Sequence, residues 1–240
     1  MIDHMYTLIT RGKIDAVLLA SELKSLGIKS ILDPLLEVNF IKGPRLILDD
    51  IQLLLMTSAN GVRAFARRSV VRDIPVCAVG DATARTAYEY GFTSIQSAEG
   101  NVEDLANLVL CSVSPSKGSI FHTTGTYLAG NLGLALAKNK FNYRRHVLYE
   151  TVEAYEFSNK TLEAFSKGYI ISVMLYSPRT AIVFANLVKL AGIEACLYGV
   201  IAFCLSDAVA QNISKLKWKK VLVSQIPDQA SLLTLVRQSS

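Results

Sequence analysis

The sequence predicts an α/β protein of two lobes, each a buried parallel sheet with helices on both faces, joined by a two-stranded β-ladder. Three observations carry this. Apolar runs of four or five residues alternate with amphipathic helical segments along most of the chain, the pattern of strands covered on both faces. Two segments, 36–41 and 147–154, instead alternate polar and apolar residues, as half-exposed antiparallel strands do. Finally, MTSANGVRAFA (56–66) is echoed by YSPRTAIVFA (176–185), with Ser58 on Ser177 and Phe65 on Phe184, which points to two related lobes.

Residues 5–10 form a strand, and 15–26 a helix that stops at Gly27, a residue suited to the position after a helix end. A short strand at 29–32 precedes the polar–apolar segment 36–41. A strand at 53–56 runs into a helix at 59–68, and one at 76–79 into a helix at 82–90 closed by Gly91. Residues 102–110 are helical, 119–122 form a strand, and 128–138 are helical. After 147–154 the alternation resumes with strand 173–176 and helix 179–189, ending near Gly192. Strand 200–204 with helix 207–213, and strand 220–223 with helix 229–237, complete the chain. VCAVGDATA (76–84) and VIAFCLSDAVA (200–210) add a second, weaker echo. The two polar–apolar segments bracket the middle of the chain. One lobe is therefore expected from 1–35 with 155–240, the other from 42–146, and the connecting ribbon from 36–41 with 147–154.

The chain has 240 residues, of which 51% are hydrophobic, ample for packed cores. No apolar run approaches the roughly 18–20 residues that span a bilayer. Asp3 and His4 stand where a signal peptide would be basic and then apolar, so a cytoplasmic protein is expected. A net charge of +5 suits an anionic partner such as a polycarboxylate, a phosphate or nucleic acid. The basic clusters are short: Arg67, Arg68 and Arg72; Arg144 and Arg145; and the lysines within 215–220. They read as solvated faces, and no nucleic-acid motif accompanies them. Cys77, Cys111, Cys196 and Cys204 have no metal-site spacing, and His4, His122 and His146 are far apart. Reduced thiols and no metal are expected.

Ligands of open α/β sheets bind beyond the carboxyl ends of the strands. Those positions carry Thr10-Arg11-Gly12, Thr57-Ser58, Gly80-Asp81-Ala82-Thr83, Thr123-Thr124-Gly125, Ser177 and Ser206-Asp207. Helix N-termini there offer N–H groups to carboxylates or phosphates. Each hydroxyl equally reads as a helix cap, worth about 1 kcal/mol. Arg11 and Arg179 suit bidentate pairing with substrate carboxylates, or packing against the opposite lobe. Tyr149 on the ladder leans into the cleft or is a half-buried aromatic. HTTGTYLAG (122–130) offers a backbone for phosphate. There is no GxGxxG, no Walker A lysine and no GxSxG elbow.

LITRG, MTSANGVRAFA, VCAVGDATARTAYEYGF, VLYETVEA, LYSPRTAIVFANL and CLSDAVAQNI occur in order over nearly the whole chain. This ordered set resembles the uroporphyrinogen-III synthase family. The resemblance implies flavodoxin-like lobes, a discontinuous first lobe, and a cofactor-free cytoplasmic enzyme of haem biosynthesis. Its substrate would be the linear tetrapyrrole hydroxymethylbilane, closed to a macrocycle with inversion of the last pyrrole ring and loss of water. An azafulvene forms as hydroxide leaves, and a spiro intermediate fragments and recloses. Positioning therefore supplies much of the catalysis, which fits strand ends rich in hydroxyls and poor in acids and bases. Tyr149 matches the family tyrosine proposed as proton donor. Ser58, Thr83, Ser177 and Ser206 match family hydroxyl positions. Departures are Gly12 in place of a proline, Cys204-Leu205 in place of a glycine turn, and Asp207 in place of a hydroxyl. A monomer is expected, with hand-over of substrate from the preceding bilane-forming enzyme, and without nucleic-acid or membrane partners. Two other readings stay open: a two-lobed small-anion binding module without catalysis, and a flavodoxin-like regulatory domain. The latter lacks its acidic cluster and lysine.

Overall fold

A computed structural model of the chain describes residues 5–98, 102–127 and 131–239. The chain opens with β1 (Tyr6–Ile9), α1 (Lys13–Ser25), β2 (Ser30–Leu32) and β3 (Leu36–Phe40). The middle holds β4 (Ile51–Met56), α2 (Ala59–Arg68), β5 (Val76–Ala78), α3 (Asp81–Glu89), β6 (Ile95–Ser97), α4 (Val102–Ser112), β7 (Ser119–Gly125), α5 (Leu132–Lys138) and β8 (Tyr143–Glu153). The remainder is α6 (Asn159–Ser166), β9 (Ile170–Leu175), α7 (Pro178–Leu190), β10 (Ile201–Cys204), α8 (Asp207–Gln211), β11 (Lys220–Val223) and α9 (Gln229–Ser239). These elements form two compact units, Met1–Glu37 with Val152–Ser240, and Val38–Thr151.

The sheet of the first unit is wholly parallel, in the order β2-β1-β9-β10-β11. Numbered along the chain, that is the flavodoxin-like order 2-1-3-4-5. Strand residues alternate between two cores. Leu8, Val173, Leu175 and Ala202 meet α6 and α7 through Phe165, Phe184 and Leu187. Ile9, Met174 and Phe203 meet α1 and α9 through Leu19, Leu23, Leu232 and Val236.

The second sheet has the order β3-β8-β7-β4-β5-β6, parallel from β8 to β6. Without β3, the order is again 2-1-3-4-5 if counting starts at β7. The two units are thus related by circular permutation, which superposes β4 on β9 and β5 on β10, the pairs that the sequence echoes align. Leu54, Met56 and Phe121 pack on one face against Val62, Phe65 and Ala87 of α2 and α3. Leu53, Leu55 and Ile120 pack on the other against Leu105, Val109 and Leu136 of α4 and α5.

β3 runs antiparallel to β8. Ile41 N donates to Leu148 O and Ala154 N to Leu35 O, so one index falls as the other rises. The half-exposed antiparallel strand expected at 147–154 is therefore only the end of a longer one. β8 begins at Tyr143, and its first half pairs parallel to β7. β6 and α6 escape sequence reading. β6 is three residues long and only half-buried, too short for periodicity. α6 carries a legible signal, the Ser158 hydroxyl that accepts from Thr161 N. Of the helix expected at 128–138, residues 128–130 lie outside the described residues.

Gly27 and Gly91 follow α1 and α3 with φ of +76° and +90°, the left-handed conformation that favours glycine. The arginines of the clusters are exposed or half-buried, and most of them also make specific contacts. Arg67 lies over the Phe40 ring, and Arg68 donates to the carbonyls of Ile41 and Pro44. Arg72 donates to those of Ser69, Val71 and Tyr90, and Arg144 pairs with Asp50. The guanidiniums of Arg68 and Arg72 thus hold loop backbone. The lysines within 215–220 are exposed. All four cysteines are free, and burial pushes the thiols of Cys77 and Cys204 up to about 11 and about 12. No helix among the described residues is long and apolar enough to cross a membrane.

Candidate active site

In a 2-1-3-4-5 sheet the connections at strands 1 and 3 leave toward opposite faces, and the crevice between them is the usual ligand position. In the second unit this point lies at the carboxyl ends of β7 and β4. Alternation along β4 sends Thr57 to the α4–α5 face and Ser58 to the α2–α3 face.

Ser58 has extended backbone (φ −161°, ψ 154°) and caps α2, its hydroxyl accepting from Gly61 N at 3.1 Å. A Cβ at Gly61 would come within 2.7 Å of Thr123 Oγ1, so glycine lets the first turn of α2 lie on β7. The same Ser58 Oγ stands 2.7 Å from the hydroxyl of Tyr149.

Tyr149 reaches that position through a β-bulge. Thr124 pairs with Val147 but Gly125 with Tyr149, so Leu148 is skipped. Its carbonyl accepts from Ile41 N of the segment that follows β3 instead. A one-residue shift exchanges the faces of a strand. In unbroken register Tyr149 would share the face of Tyr143 and Arg145, away from Ser58. Tyr149 is 8% exposed. Burial raises the pKa of its phenol, while the Ser58 hydrogen bond and the Gly125 backbone act against that rise. The phenol stays protonated at neutral pH. Gly125 leaves room for the ring, since a Cβ there would lie 2.7 Å from Tyr149 Cε2.

Across the sheet, Thr57 Oγ1 lies 3.2 Å from Nε2 of His122, whose Nδ1 lies 2.6 Å from the hydroxyl of Tyr143. His122 is fully buried. Burial, and then the charge of Arg145, lower its pKa to about 4, so the imidazole is neutral. Thr124 is occupied: its hydroxyl donates to His146 O at 3.3 Å and accepts from Arg145 Nε at 3.2 Å. Arg145 also holds the carbonyls of Gly125 and Thr126. Thr83 is buried in the first turn of α3, whose cap position is Gly80.

The first unit has its corresponding point at the ends of β1 and β9. Thr10 is fully buried there, its hydroxyl donating to Met174 O at 2.8 Å. Arg11 lies 4.3 Å over the Tyr176 ring and donates to Gln229 Oε1 and Asp15 Oδ2, so its own unit holds it. The buried hydroxyl of Tyr176 has no hydrogen-bond partner among the described residues. Ser177 caps α7 as Ser58 caps α2, accepting from Thr180 N at 3.1 Å. Arg179 pairs with Glu153 at 3.0 Å. Ser206 occupies the cap position of α8, but its side chain makes no capping bond.

Within the second unit the fold thus joins Thr57, Ser58, Thr124, Gly125 and Tyr149 at one sheet end. Within the first it joins Thr10, Arg11 and Ser177. Sequence reasoning passed over His122, Tyr143 and Arg145 as site residues, because each is an ordinary strand residue until β7 and β8 pair.

The family model described as uroporphyrinogen-III synthase HemD matches residues 17–234. The chain belongs to the uroporphyrinogen-III synthase family. It is accordingly a cyclising lyase of tetrapyrrole and haem biosynthesis, and the binding-module reading has no support. The fold is that of a uroporphyrinogen-III synthetase from Helicobacter pylori, with a TM-score of 0.64 at 15% identity over 99% of this chain and 100% of that one. A mutant uroporphyrinogen III synthase from Thermus thermophilus gives 0.57 at 14% identity over 98% of each chain. No curated protein sequence matches the chain.

Proposed function

We propose that this uroporphyrinogen-III synthase acts on hydroxymethylbilane with Tyr149 as proton donor, and that Ser58 orients it. The observation that carries this is the 2.7 Å contact between the two hydroxyls at the switch point of the sheet. Ser58 Oγ already accepts from Gly61 N. Turning its own hydrogen toward the Tyr149 oxygen leaves the phenol hydrogen free for the departing hydroxyl. The hydroxyl leaves as water, and the ring nitrogen supplies the electron pair that forms the azafulvene. Attack by the substituted carbon of the last ring gives the spiro intermediate, and reclosure after fragmentation inverts that ring. The proton released on rearomatisation restores the balance.

The remaining candidates hold carboxylates in this reading. Thr57, Thr83 and the N-terminus of α2 serve in the second unit, and Ser177, Arg179, Ser206 and the N-terminus of α7 in the first. Thr10, Arg11, Thr124 and Gly125 support them through the contacts described above. We further propose that the enzyme works as a cytoplasmic monomer that receives its bilane from the preceding enzyme.

The test is direct. Freshly prepared hydroxymethylbilane is supplied, the products are oxidised, and the type I and type III isomers are separated. Type III is expected; type I alone, as in the uncatalysed closure, overturns the reading.

A further inference from the structure

We propose that His122 is a positioning residue that, held by Tyr143, sets the Thr57 hydroxyl as a hydrogen-bond donor facing a substrate carboxylate. The carboxylate rests on the function proposed above; the arrangement of the three side chains does not.

Both ring nitrogens of His122 are engaged, Nδ1 with Tyr143 at 2.6 Å and Nε2 with Thr57 at 3.2 Å. A neutral imidazole has one donor and one acceptor nitrogen, so its partners choose the tautomer. A phenol is a stronger donor than an aliphatic alcohol, and the shorter contact is the phenol's. Tyr143 therefore donates to Nδ1, and Nε2–H donates to Thr57 Oγ1. The threonine hydrogen then points away from His122. Thr57 is half-buried at the end of β4, where the sheet stops and ligands bind. A hydroxyl that accepts an N–H also becomes a better donor, because chained hydrogen bonds polarise one another.

The phenol at the base of the chain is itself fixed. The Tyr143 ring packs so closely on α5 that a Cβ at Gly133 would lie 2.9 Å from its Cε1. Its neighbour Arg145 is held by Thr124, Gly125 and Thr126. The fully buried imidazole remains neutral, so it can orient Thr57 without placing a cation beside it. Capping does not explain Thr57, since Ser58 is the residue that caps α2.

A merely structural histidine would affect stability and leave substrate affinity alone. Tyr143→Phe keeps the ring and removes the donor. It should raise KM for hydroxymethylbilane about three- to tenfold, the scale of one lost neutral hydrogen bond, with kcat within about twofold. Thr57→Val should match it, Thr57→Ser should restore wild-type KM, and the double variant Tyr143→Phe/Thr57→Val should be no worse than Thr57→Val. Independent effects of the two substitutions, or an unchanged KM in Thr57→Val, overturn the proposal. Nitrogen-15 spectra of His122 give a readout apart from activity. An Nε2–H tautomer is expected in the wild type, and an Nδ1–H tautomer overturns the assignment even where Tyr143→Phe fails to fold. A wild type that yields only type I isomer refutes the functional reading instead, and leaves the tautomer test intact.

Discussion

The hydroxyl oxygens of Ser58 and Tyr149 stand 2.7 Å apart across 91 residues of sequence. One follows a central strand and caps a helix. The other follows a bulge on the neighbour-but-one strand. Their meeting turns an ordinary helix cap into a group that can orient the proposed proton donor.

Tyr149→Phe should lower the rate of type III formation about 100-fold or more, the usual range for a general acid. The cost in stability should stay near about 1 kcal/mol, since only one hydroxyl is removed. Isomer analysis and denaturant unfolding on one preparation check both. Near-normal turnover would mean that another group donates.

Ser58→Ala and Ser177→Ala make an informative pair. Both remove a capping oxygen and should cost about 1 kcal/mol each. Only Ser58→Ala also frees Tyr149, so it should lose more turnover than its counterpart, by about tenfold, the scale of one hydrogen bond. In the proposed reading carboxylate binding is distributed over many groups, so neither should abolish activity. A well-folded Ser58→Ala with no turnover would contradict that distribution.

Gly125→Ala should impair catalysis through Tyr149. The added methyl would meet the ring at 2.7 Å, and such overpacking costs about 1–3 kcal/mol. The ring is expected to move off Ser58, so turnover should fall toward that of Tyr149→Phe. Full activity would show that the ring position is not critical.

Thr10→Val separates packing from binding. The Thr10 hydroxyl is fully buried on Met174 O, so its removal should cost about 1 kcal/mol with kcat and KM unchanged. A raised KM would show that Thr10 also meets substrate.

His122 should make stability fall with acid. Its pKa is about 4 in the fold against 6.5 ordinarily. Between these values the unfolded chain takes the proton and the folded protein does not. The contribution is whole above pH 6.5, declines as pH falls toward 4, and is flat below. The loss is about 3 kcal/mol. Unfolding midpoints measured from about pH 7 to about pH 4 should show it, and His122→Gln should flatten the curve over that window.

The strand–helix alternation was legible because fully covered strands are apolar throughout and helices carry one apolar face. α2 and β11 match their expected spans residue for residue, and Gly27 and Gly91 mark helix ends as expected. Ser58 and Ser177 were recognisable as equivalent because one strand–cap–helix unit recurs in both. Thr10 and Arg11 looked like ligand contacts for the same reason: a strand end identifies a place, while the direction of a side chain depends on neighbouring strands. Thr10 turned inward to a carbonyl, and Arg11 found Tyr176, Asp15 and Gln229.

By itself the sequence determined the class of fold, the kinship of its two lobes, and the strand ends that carry the candidate site. These depend on local periodicity and on residue types at helix starts. The tertiary structure alone decided that Leu148 is skipped against β7, that Tyr149 thereby changes face to meet Ser58, and that His122 lies between Tyr143 and Thr57. Strand register is a property of pairs of segments far apart in the chain, and a single extra residue in one of them redirects every side chain that follows.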